Sequence, residues 1–81
     1  MTEKEIQLLG FKKQEEHDGD NPYHYYTYTI ARGFEFISCD SDSLETGEWF
    51  IEFFDSDPSI RFTQFSEVQV LINLLEKRVI K

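Results

Sequence analysis

Tyr23-His24-Tyr25-Tyr26-Thr27-Tyr28-Thr29-Ile30 reads as a β-strand and as little else. Aromatic and β-branched residues fill it, and no strong helix former interrupts it. Downstream, Ala31-Arg32-Gly33 makes a compact turn in which Gly33 is free to take positive φ, and Phe34 to Cys39 returns as a second strand. Asp40 to Gly47 is a polar loop. Glu48 to Phe54 reads as a third long strand, Asp55 to Ser59 as a turn with proline chemistry, and Ile60 to Phe62 as a short last strand. Upstream, Lys12 to Gln14 is a short extended segment, and Glu15 to Pro22 is a polar loop of breaker residues.

Both ends are helical. Thr2 and Glu5 have the spacing of a capping box, Ile6, Leu8 and Leu9 supply an apolar face, and Gly10 is placed to stop the helix in a left-handed conformation. Phe11 anchors the exit. At the other end Ser66 and Gln69 are spaced as a second capping box, with Thr63 as an opening one turn earlier. Val68, Leu71, Ile72, Leu75 and Val79 repeat with the period of one buried helical face, and Lys77, Arg78 and Lys81 stand where cations complement the helix dipole. The expected fold is one α+β domain over residues 1–81. It is an antiparallel meander of three to four strands flanked by an N-terminal and a C-terminal helix on one face, in the order α-β-β-β-β-α.

Composition agrees with a folded domain of this size. A chain of 81 residues buries only about 60% of its unfolded surface or slightly more. Eight Phe, four Tyr and one Trp supply the apolar area that so short a chain needs. Disordered chains lack such rings and cannot offset the entropy of ordering. Sixteen acids face eight dispersed bases, a net charge of -8, which argues against nucleic acid as a partner because duplex binding depends on Lys and Arg neutralising phosphates. The single cysteine, Cys39, forms no internal disulfide, no signal-peptide run follows Met1, and no window is apolar enough to span a bilayer. A cytoplasmic location without membrane contact is the expectation.

Alternation leaves aromatic rings on both faces of the sheet. His24, Tyr26, Tyr28 and Ile30 share one face of the first strand, and Tyr23, Tyr25, Thr27 and Thr29 the other. Trp49, Ile51 and Phe53 likewise oppose Phe50, Glu52 and Phe54. Two helices cover one face. Tyr23, Tyr25, Phe50 and Phe54 are therefore the candidate protein-contact residues on the face opposite the helices, unless they fold under loops as half-exposed rings.

Other chemistry finds little support. Arg32-Gly33-Phe34-Glu35-Phe36-Ile37-Ser38-Cys39 resembles the RNP1 octapeptide of RNA-recognition domains. Yet Glu35 stands where that motif has Gly or Ala, and Cys39 replaces its last aromatic. Asp40 to Glu45 opens like an EF-hand loop, but Leu44 occupies the third ligand position and Glu45 the glycine position. His17, His24 and Cys39 lack zinc-ligand spacing, and the four scattered glycines build no phosphate loop. Cys39 has no basic neighbour in sequence to stabilise a thiolate. Glu35 and Glu52 lie mid-strand and are candidates for cross-strand neighbours, although strand glutamates are usually on the solvent face. No catalytic residue, cofactor or metal is assigned.

Leu9-Gly10-Phe11, Pro22-Tyr23, Tyr25-Tyr26, Glu48-Trp49, Glu52-Phe53-Phe54, Ile60-Arg61-Phe62-Thr63 and Leu71-Ile72-Asn73 resemble a group of small uncharacterised proteins encoded in bacterial genomes and their phages or prophages. The group has no assigned activity, so no functional residue carries over. The resemblance implies a setting in mobile elements. The expected function is that of a non-enzymatic protein-interaction domain whose partner is an unknown protein. The alternatives are a homodimer closed by the same aromatic stripe, and an acidic DNA mimic that inhibits a nucleic-acid-binding protein.

Overall fold

In a computed structural model the chain folds as α1 (Glu3–Leu8), β1 (Lys12–Asp18), β2 (Asn21–Ala31), β3 (Phe34–Ser38), β4 (Ile51–Phe53), β5 (Arg61–Phe62) and α2 (Phe65–Arg78). The described residues are 1–42, 44 and 46–80. Ser43 and Glu45 of the acidic loop, and Lys81, expected at the end of the last helix, lie outside them. The α+β meander holds, with strand order β1-β2-β3-β4-β5 and every neighbouring pair antiparallel.

α1 begins as its spacing predicts. Thr2 Oγ1 accepts the Glu5 N–H at 3.2 Å, while Glu5 Oε1 accepts the Thr2 N–H at 2.8 Å. Gly10 closes the helix at φ 95°, a conformation a side chain rarely adopts, and its N–H donates to Gln7 O at 3.0 Å. Phe11 is buried against Tyr28 and Phe36, with ring centroids 5.4 Å and 6.3 Å away.

Among the described residues the sheet has five strands, because the polar run after Gln14 is not a loop. β1 continues to Asp18 and turns through Gly19-Asp20 into β2, pairing Asp18 with Asn21 and His17 with Pro22. Gly19 takes φ 65°, which a two-residue hairpin turn requires. Pro22 disturbs no bond here. The His24 and Tyr26 N–H groups point away from β1, to Ser41 Oγ and Ser38 Oγ, so by alternation the Pro22 nitrogen also faces away from β1. β3 ends at Ser38, leaving that side of residues 21–25 without a strand.

The strand expected over Glu48 to Phe54 is regular only at Ile51–Phe53. The Met1 ammonium donates to Trp49 O and Thr63 O, both at 3.1 Å, and the Trp49 N–H donates to Met1 O at 2.9 Å. Met1 is thus wedged between the chain before β4 and the chain after β5. α2 differs too. Its N-cap is Gln64, with no side-chain cap bond, so neither Ser66 nor Thr63 opens it. Val68 and Ile72 are buried, and Lys77 and Arg78 occupy the last turn.

Strand residues Tyr26, Phe36 and Ile51 meet helix residues Ile6, Val68 and Ile72 in one core, which Met1, Phe11, Cys39 and Trp49 complete. Phe36 stacks on Phe53 at 4.8 Å. Two substitutions rank these contributions in a denaturant titration. Phe36→Ala is expected to lose about 3–5 kcal/mol, and Thr2→Ala, which removes one cap bond, about 1 kcal/mol.

Candidate protein-contact surface

The register sorts every strand residue onto one of two faces. Tyr26, Tyr28, Phe36, Ile51, Phe53 and Phe62 lie toward the helices. Thr27, Ile37, Glu52 and Arg61 form one row across the opposite face, to which neither helix contributes a buried residue. Tyr23 and Tyr25 are on this open face, both half-buried. Phe50 and Phe54 flank β4 and, by alternation about Glu52, are directed to it as well, although Phe50 also packs against the buried core.

These four residues do not form one contiguous stripe. Tyr25 and Phe50 each lie two positions before the Thr27–Ile37–Glu52 row, so they occupy the same end of the sheet. Tyr23 lies farther out on the hairpin arm. Phe54 lies two positions beyond the row, level with Thr29 and Glu35, and is 58% exposed. Phe50 is already engaged, because the Arg61 guanidinium sits 3.8 Å from its ring centroid. Arg61 and Ile37 were missed as members of this face. The signal was pairing across β3–β4–β5, which sets Ile37 against Glu52 and Glu52 against Arg61. Arg61 Nε and Nη2 each lie 3.0 Å from Glu52 Oε2. Glu35 and Glu52 share a face of the paired strands β3 and β4 but sit diagonally, two positions out of register, with Glu52 held by Arg61.

Several polar groups on the other face hold elements together. Tyr26 OH donates to Glu3 Oε2 at 2.6 Å and accepts from Gln7 Nε2 at 2.9 Å. His24 Nε2 lies 2.7 Å from the same Glu3 oxygen, and the His24 ring stacks on Trp49 at 5.8 Å. Tyr26, and after it His24, hold the Glu3 carboxyl below the usual glutamate range, against the opposing effect of burial. On the other side Tyr28 OH donates to Glu76 of α2. The Glu76 carboxylate, aided by burial, pushes Tyr28 up to about 12. Cys39 is buried just after β3, and burial pushes its thiol up, the reverse of what a nucleophile needs.

An open cleft of about 980 Å³ lies where α1, the chain before β4 and the first turn of α2 meet. Trp49, Phe50, Leu44, Glu5, Glu48 and Arg61 are among its walls. Its charges already have partners: Glu5 caps Thr2, Glu48 receives the Met1 ammonium at 3.3 Å, and Arg61 holds Glu52. Among the described residues no group of three or more His, Cys, Asp or Glu is placed to hold a metal ion. Among them, too, no helix is long and apolar enough to cross a membrane.

Two titrations check these assignments. Because Glu3 is depressed in the folded state, its stabilisation is present above the ordinary glutamate range and fades as pH falls through and below it. Glu3→Gln is expected to flatten that acid limb of the stability profile. Tyr28 is raised, so its contribution is complete at neutral pH and fades between about 10 and about 12. Tyr28→Phe is expected to remove the latest phase of the tyrosinate absorbance titration. Compared with family models, with curated proteins and with solved structures, the chain finds no match in any of the three.

Proposed function

We propose that the chain is a non-enzymatic protein-interaction domain of phage or prophage origin whose uncovered sheet face docks on another protein. The observation that carries this reading is one-sided layering. Five strands are covered by helices on one face only, and the other presents Tyr23, Tyr25, Ile37 and Phe50 half-buried and Phe54 exposed. A face of tyrosines, one aliphatic residue and flanking carboxylates has the mixed character of a contact surface, an apolar body with polar edges. Among the described residues, Glu5, Glu48 and Arg61 around the cleft and Glu3 and His24 beneath α1 are engaged in contacts that hold the fold.

Net charge selects the kind of partner. At -8 the chain repels phosphate backbones and attracts basic protein surfaces. Phe50 already accepts a guanidinium on its ring, the contact an arginine-bearing partner would make with Tyr23 or Tyr25. The likeness of the strand and helix-stop segments to phage and prophage proteins supports the mobile-element setting.

The test uses a photoreactive phenylalanine analogue at Tyr25 or at Phe54, with Gln69 on α2 as the control position. Crosslinking in the native host is expected to give one discrete adduct with a basic protein from positions 25 and 54, and none from position 69. Tyr25→Ala and Phe54→Ala are expected to remain folded by circular dichroism and to lose that adduct when the analogue is at the other position. Unfolding of both variants would make these rings core residues and sink the proposal.

A further inference from the structure

Apolar side chains are exposed away from the sheet face as well. On α2, Val70 is 66% and Leu74 46% exposed, although Val68 and Ile72 on the same helix are buried. With Phe62 and Leu71 they line an apolar groove of about 430 Å³ between the helix and the edge strand β5. Glu67 opens this stripe in the first turn of the helix, and Lys77 and Arg78 close it in the last. Neither Glu67 nor Lys77 forms an ion pair among the described residues.

The order along the stripe is acid, apolar, apolar, base, at Glu67, Val70, Leu74 and Lys77. The spacing is three, four, three, which keeps all four on one side of a helix and reads the same from either end. Turned end for end, α2 is therefore complementary to itself. An antiparallel copy crossing near Ile72 and Asn73 sets Val70 against Leu74 twice and Glu67 against Lys77 twice. A parallel copy would set like charges together. We infer that this stripe is a homodimer interface, in which α2 of a second copy of the chain packs antiparallel across a two-fold axis and fills the groove beside Phe62.

This interface is independent of the open sheet face and leaves it free in both copies. Its area is bounded by one helix of 14 residues, about 21 Å long. That places the dimer at the small end of specific interfaces. An isologous contact of this kind also closes on itself.

Sedimentation equilibrium across the micromolar range tests the inference on the full chain. The native protein is expected to pass from monomer to dimer and no further. Leu74→Glu puts two carboxylates against apolar surface and is expected to weaken the dimer by about a hundredfold or more. Glu67→Lys and Lys77→Glu, each of which turns both ion pairs repulsive, are expected to weaken it by about tenfold. The double variant carrying both reversals restores the pairing and is expected to recover native affinity. The exposed positions 67 and 77 leave the core untouched, so the charge exchange remains decisive even if Leu74→Glu fails to fold. A strict monomer overturns the inference. So does a dimer that the single charge reversals leave unchanged, or one that Tyr25→Ala and Phe54→Ala abolish, which would place the axis on the sheet face.

Discussion

The hydroxyl of Tyr26 lies between Glu3 and Gln7, and the ring behind it is almost wholly buried beside Trp49. Its N–H donates to Ser38 Oγ at 2.8 Å, across the point where β3 stops following β2. This residue joins α1, β2, the end of β3 and the chain before β4. A six-residue helix is too short to persist alone. α1 exists because Ile6 enters the core and because two of its polar side chains grip a tyrosine that the sheet has already fixed. Met1, which leads into the same helix, then separates the chain around β4 and β5, and the cleft follows from that separation.

The central hairpin was plain in the residues because Tyr23 to Ile30 admits one backbone conformation and Arg32-Gly33 one kind of turn. The first hairpin was hidden. Glu15, Glu16 and His17 are exposed residues of an edge strand, so no apolar alternation announces them. β4 was overestimated for a different reason. Trp49 has a strand's composition, but its backbone bonds go to Met1, a residue 48 positions away that no local pattern reveals. Alternation groups Tyr23 with Tyr25 and Phe50 with Phe54, and the register across β2, β3 and β4 relates the two pairs to one another. Their spread along the open face, and the presence of Arg61 over Phe50, depended on register across three strands, which turn lengths fix and single-strand patterns do not.

Helix α2 shows how a short chain divides its residues between tasks. Val68 and Ile72 close the core, and Glu76 fastens the helix to Tyr28. Val70 and Leu74 take no part in either. In a domain with so little interior, apolar residues left outside it lower solubility unless something covers them. The acidic surplus offsets part of that loss, which gives the charge a role without requiring each carboxylate to touch a partner.

The two edges of the sheet differ in a way that bears on assembly. β1 offers seven residues of edge, but Lys12, Lys13, Glu15 and Glu16 stud it with charge of both signs, and a further strand added there meets those charges at every step. β5 offers two residues, beside an apolar groove. Strand addition at either end of the sheet is thus opposed by charge on one side and by brevity on the other, which works against growth into cross-β fibres.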